Sequence, residues 1–216
     1  MIIGRKAKES PMAGCCEHEA RFDGMSPAYR RRLWIVIVIN ATMFAVEMGA
    51  GQAAQSQALK ADALDFLGDA LTYGLSLAVI GMSLRVRATA ALLKGASLMA
   101  MGLWVLGSTL YRVLYIGLPE AEIMGLIGFL ALAANVASVL LLMAYKDGDA
   151  NVRSVWLCSR NDAVGNVAVM AAALAVWATG TGWPDVIVAL AMAALFVSSS
   201  VQIIRQSLQE RRAIAP

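Results

Sequence analysis

An all-α, integral membrane bundle of six transmembrane helices is the fold the sequence predicts, and three observations predict it. Of 216 residues, 59% are hydrophobic and 15% charged, and mean hydropathy is +0.66, far too apolar for a soluble domain of this length. The apolar residues fall into six runs of about 20 residues or more, the length that crosses a hydrocarbon core. Basic residues recur in alternate connections, which sets a topology.

The chain opens on a basic tail, residues 1–32, with Arg5, Lys6, Lys8, Arg21, Arg30, Arg31 and Arg32. Charge continues to Arg32 and no small-residue cleavage pattern follows the first apolar run, so that run is expected to be a retained span and not a secretory leader. Spans are expected over 33–52, 57–83, 89–115, 122–145, 154–178 and 184–204, making one transmembrane domain over 33–204 with a short tail, 205–216. Connection 51–56 is short and uncharged, 84–88 holds Arg85 and Arg87, 117–122 holds only acids, 146–153 is mixed, and 180–185 is short. Arg205, Arg211 and Arg212 then return to the basic side, as an even number of spans requires. Both termini are expected to be cytoplasmic, in a bacterial inner (plasma) membrane.

Attached to such a bundle, the basic tail is an orientation signal and not a nucleic-acid surface. Cys15, Cys16 and Cys158 imply no disulfide framework. Glycines within or bordering the spans (Gly49, Gly51, Gly68, Gly74, Gly165) suit close helix packing in lipid. There is no internal repeat, and no Gly-rich turn is followed by Lys-Ser or Lys-Thr, which argues against transport driven by the chain's own ATP hydrolysis. No enzymatic chemistry and no prosthetic group are expected.

The second span carries ADALDFLGD over 61–69. Asp62, Asp65 and Asp69 are three and four residues apart, so on a helix they form one acidic stripe. Such a stripe cannot face lipid; it faces a bundle interior and calls for a cation. The other deep acids are Glu47 and Asp162. Cys158 stands one turn before Asp162, so a Cys-x-x-x-Asp face on span five opposes the Asp-x-x-x-Asp face of Asp65 and Asp69. Spans two and five run antiparallel, and four side chains from two helices can close a tetrahedron near mid-membrane.

Oxygen and sulfur donors in that number suit a divalent transition metal, zinc above all, with cobalt, cadmium or iron as other cargo. Magnesium and calcium want more oxygens and no sulfur. Three carboxylates and a thiolate would place four negative charges around two positive ones in a low-dielectric bundle, so some of these groups should hold protons when no metal is bound. Metal binding would release them. Glu47 and Asp62 are candidates for supporting or vestibule positions, and Asn40 and Asn166 for hydrogen bonds between helices. A structural alternative stands beside each: the acids as hydrogen-bonded packing, Asp162 with Arg160 and Asn161 as one polar cluster, and Cys158 as a small buried apolar group. In the tail, Cys15, Cys16 and His18 could capture a soft or borderline metal, against a plain flexible segment.

The pattern from Asn40 through Phe44, Glu47, Gly51, Ser56, Ala58, Leu59 and Asp62 to Asp65 and Asp69 resembles the first two helices of the cation diffusion facilitator, or cation efflux, family. CSRNDAVGNVAV in span five resembles its fifth. By position, the resemblance makes Asp65, Asp69, Cys158 and Asp162 the transport site, with Cys158 where the family usually has histidine. It also implies a homodimer that exchanges cytosolic Zn²⁺ or a similar ion for protons by alternating access. The family usually appends a cytoplasmic ferredoxin-like domain after the sixth helix, and residues 205–216 do not contain one, so the resemblance is to the transmembrane domain. The leading expectation is a secondary transporter exporting divalent transition metals, whose partners are the metal ion, protons and the bilayer. The alternatives are a metal-binding sensor or accessory subunit without translocation, and a structural bundle.

Overall fold

Helix α1 (Pro27–Ala53) begins where the sequence supplies a cap. The Ser26 hydroxyl accepts a hydrogen bond from the Tyr29 amide at 3.2 Å, and Pro27 takes the first helical position, where no N–H is needed. The helix therefore starts well before the apolar run at residue 33, with Arg30, Arg31 and Arg32 on its first turns. Arg32 donates to the Leu141 carbonyl at 3.1 Å and lies over the Tyr145 ring, 5.3 Å from its centre, so its charge stays at the end of the bundle.

In this computed structural model, which describes residues 26–79, 82–114, 117–147 and 150–213, five more α-helices follow. They are α2 (Gln57–Ala78), α3 (Leu84–Leu114), α4 (Ala121–Leu142), α5 (Ala150–Thr179) and α6 (Trp183–Ala213), with a single 3-10 turn at Met143–Tyr145. Cys15, Cys16 and His18 lie outside the described residues. Residues 84–88, expected as a connection, are helical, and α6 runs past 204 to Ala213. Hydropathy marks only the part of a helix that sits in hydrocarbon, whereas backbone hydrogen bonding continues until a cap or breaker ends it.

Helices α1 and α3 to α6 are long and apolar enough to cross a membrane. They turn Trp34, Val38, Leu110, Leu126, Leu174, Trp177 and Leu195 outward, as a lipid-facing surface requires. α2 carries Lys60, Asp62, Asp65 and Asp69 and is less apolar, but it packs against all five other helices. Surrounded by protein, it needs no apolar face for lipid. The chain is thus an all-α integral membrane bundle with its most polar helix at the centre.

The helices pair antiparallel as α1 with α2, α4 with α5, and α3 with α6. The α3–α6 contact depends on glycine. A Cβ on Gly95 would lie 2.7 Å from Ile204 Cγ1 and one on Gly102 would lie 3.0 Å from Phe196 Cβ, while the Ser200 hydroxyl donates to the Gly95 carbonyl at 2.6 Å. Gly95→Ala is expected to destabilise the detergent-solubilised protein by about 1 to 3 kcal/mol through overpacking. Gly107→Ala, where nothing among the described residues lies within 4 Å of the new methyl, is the control. Equal melting temperatures for the two variants would contradict this packing.

The end of the bundle holding the α1–α2, α3–α4 and α5–α6 connections, called distal here, is knitted together by polar contacts. Asp185 of α6 accepts from the Ser56 hydroxyl at 2.6 Å and from the backbone amides of Gln57 and Ala58 at 2.8 and 3.0 Å. Ser56 in turn caps α2 by accepting from the Leu59 amide at 3.0 Å. Arg112 of α3 donates to the Gln55 side chain at 2.8 Å, steadying a residue with φ of 58°, and the Glu120 amide donates to the Ala54 carbonyl at 3.0 Å. These contacts fix the depth at which α2 carries its acids.

Besides a small group at Met43, Phe66 and Ala131, two larger apolar clusters fill the interior among the described residues. One, around Leu59, Leu64, Met124, Val169 and Phe196, lies toward the distal end; the other, around Leu33, Val36, Tyr73, Leu77 and Leu142, lies toward the opposite, proximal end. Asp65 and Asp69 fall between them along α2.

Candidate metal site

The register of α2 against α5 is set by two contacts. Asn166 Nδ2 donates to Asp62 Oδ2 at 2.7 Å, and the Tyr73 hydroxyl lies 3.4 Å from the Val155 carbonyl. The antiparallel path between them brings Asp162 level with Phe66, between Asp65 and Asp69, and brings Cys158 level with Ala70. Asp162 accordingly hydrogen-bonds with the carboxyl groups of both Asp65 and Asp69.

Tyr73 organises the proximal side. Its side chain is fully buried, its hydroxyl donates to Asp69 Oδ2, and Ser159 Oγ lies 3.4 Å away. The Cys158 thiol lies beside the same hydroxyl and has Asp65 and Asp69 as charged neighbours, while packing against the proximal apolar cluster. Asp65, Cys158 and Asp162 are half-buried, and Asp69 is buried.

Three of the four expected ligands therefore share hydrogen bonds, and the fourth stands beside them. Their oxygens are turned toward each other and toward Tyr73. Among the described residues, no group of three or more His, Cys, Asp or Glu side chains is gathered into a metal cage. Because an ionised carboxylate only accepts, each Asp–Asp hydrogen bond needs a proton on one partner. The arrangement is an acid cluster whose side chains would have to turn to wrap a cation.

The expected supporting residues divide. Glu47 of α1 lies beside Asp62, and both are almost fully buried. Asn166 bridges helices, donating to Asp62 and accepting from Asn135 Nδ2 at 2.9 Å. Asn40 does not bridge as expected: its Nδ2 donates to the Val36 carbonyl of its own helix at 2.9 Å and its buried Oδ1 has no partner among the described residues. A lone asparagine in a helix can satisfy its donor on the preceding turn, so an interhelical partner is not required. Arg160 and Asn161 contact each other at 3.4 Å on the exposed side of α5, away from Asp162, and Arg160 covers the Trp156 ring.

Two further residues, Tyr73 and Lys94, border the acids. Tyr73 continues the stripe of Asp62, Asp65 and Asp69 by one more turn, so its spacing was the available signal. Lys94 of α3 is a lone cation in an apolar run, and it is a charged neighbour of both Asp69 and Cys158. An intramembrane lysine faces the interior by the same rule as an intramembrane acid.

Residues 33–210 match the family described as the cation efflux transmembrane domain. Two relatives are each 25% identical over 172 residues, an alignment covering 74% of this chain and 54% of the relative. They are the metal cation efflux system protein CzcD of Cupriavidus metallidurans and the cation efflux system protein CzcD of an Alcaligenes species. The chain spans about half the length of these curated relatives.

Proposed function

The chain belongs to the cation efflux family, and on that premise we propose that it is a secondary transporter moving divalent transition-metal cations, zinc foremost, out of the cytoplasm in exchange for protons. The observation that carries this reading is the meeting of Asp65 and Asp69 from α2 with Asp162 from α5 through shared hydrogen bonds inside the bundle. Protons held between these carboxyl groups leave when a cation takes their oxygens, which couples metal entry to proton release. Asp65, Asp69, Asp162 and Cys158 are the proposed ligands. Oxygen and sulfur donors favour zinc, with cobalt, cadmium and iron as further cargo. A homodimer in a bacterial inner membrane, with both termini cytoplasmic, belongs to the same proposal on the strength of the family resemblance.

The test is flux into proteoliposomes of Zn²⁺, Co²⁺, Cd²⁺ and Fe²⁺ under an imposed pH gradient. Metal accumulation that dissipates the gradient, and that is lost in Asp69→Ala, is the expected result. Binding without flux would make the protein a sensor or accessory subunit, and absence of binding would sink both metal readings. Cys158→Ser is expected to lower Cd²⁺ flux relative to Co²⁺ by about tenfold, since sulfur contributes more to the softer ion. An unchanged ranking would return the thiol to the apolar cluster it packs against.

A further inference from the structure

We propose a second divalent-cation position built from Glu47, Asp62 and Asn166, one turn of α2 distal to the Asp65, Asp69 and Asp162 group, that takes the ion through oxygen donors alone. It rests on the transport reading above and adds a station to its path. Glu47 is 0% exposed, its carboxyl group shares a hydrogen bond only with that of Asp62, and among the described residues no N–H or hydroxyl donor reaches either of its oxygens. Its charged neighbours are Asp62 and Asp65, both acids. A buried carboxylate in that situation is strongly unfavourable unless a proton or a cation joins it, and a divalent cation can take the place of the proton the two acids share.

Asp62 is the natural second donor. It is 1% exposed, and Asn166 Nδ2 holds its Oδ2 at 2.7 Å. Asn135, by donating to Asn166 Oδ1 at 2.9 Å, fixes which way that amide points. The result is a carboxyl group held on one oxygen by Asn166 and set against a second, that of Glu47, which no donor from the rest of the described bundle holds. Two acids balance one divalent ion in charge, and the set contains no sulfur, so it is a harder site than the one beside Cys158.

Spacing gives the pair its role. Asp62 and Asp65 are about 5 Å apart along the axis of α2. Two divalent ions that close repel strongly at low dielectric, so the positions are occupied in turn and not together. An ion released by the soft group is received by Glu47 and Asp62 on the distal side, which is the exit side under the proposed direction of transport.

The experiment uses the full chain in nanodiscs and the isosteric variant Asp69→Asn/Asp162→Asn, with Zn²⁺ as probe. This variant is expected to keep one bound Zn²⁺, with an X-ray absorption first shell that fits oxygen donors and contains no sulfur. Adding Glu47→Gln should remove that ion. In the otherwise native chain, Glu47→Gln should leave Zn²⁺ binding in place but slow flux by about tenfold. If native protein binds Zn²⁺ while the Asp69→Asn/Asp162→Asn variant binds none, the second position is overturned and the transport reading survives. Native flux in Glu47→Gln would likewise overturn it and reduce Glu47 and Asp62 to a pair sharing a proton. A native chain that binds no Zn²⁺ would overturn both.

Discussion

Asp162→Ala is expected to cut Zn²⁺ flux on the order of 100-fold, corresponding to about 3 kcal/mol, with binding weakened by a similar factor. The size follows from its position. Asp162 is the carboxyl group to which both Asp65 and Asp69 hydrogen-bond, so its removal takes away a proposed ligand and also the partner that orients two others. Asp162→Asn separates these effects: it keeps a hydrogen-bonding group between the α2 acids but removes one negative charge from the set that would face the metal. Asn is therefore expected to retain the fold and melting temperature of the native protein while losing most of the flux. Asn transporting at the native rate would mean that Asp162 serves only as packing, and the proposed ligand set would fall with it. Asp65→Asn and Asp69→Asn, scored in the same assay, should show smaller losses than Asp162→Ala, since each leaves two acids in contact.

The spans were legible because hydrocarbon imposes a length and a polarity that any sequence must display, and α2 was legible despite its charges because Asp62, Asp65 and Asp69 repeat at helical spacing. The same periodicity, applied to Cys158 and Asp162, brought out the two faces that the fold sets against each other. What the sequence did not reveal depends on contacts between distant segments. Asp185 caps α2 from 128 residues away in the chain, and no local pattern announces that an acid at the start of one helix serves the start of another. Lys94 is one charge in an apolar run, and nothing in its own neighbourhood says which helix it faces. Asn40 went the other way. Its type suggested a bridge between helices, but the Val36 carbonyl one turn earlier offers its amide a partner without leaving the helix.

Asp185→Ala is expected to destabilise the protein by about 3 kcal/mol, the largest effect on stability from a single residue remote from the acid cluster. Asp185 is 2% exposed, so water does not replace it. Its loss leaves the amides of Gln57 and Ala58 without their acceptor and frees the Ser56 hydroxyl, which is itself the cap for Leu59. Asp185→Asn should recover roughly half of the loss, because one oxygen can still accept from Ser56 and Ala58 while the bond to Gln57 goes. Ser56→Ala and Asp185→Ala should be strongly non-additive when combined, since they break one network. Thermal unfolding in detergent measures all four variants, and additive losses would show that Asp185 and Ser56 act independently. The consequence for transport follows from geometry: this cap fixes where α2 begins, and Asp62, Asp65 and Asp69 take their depth from that point. A variant that remains folded but lets α2 slide should bind metal more weakly without losing any proposed ligand, and titration with Zn²⁺ at a temperature well below its melting point distinguishes that displacement from simple unfolding.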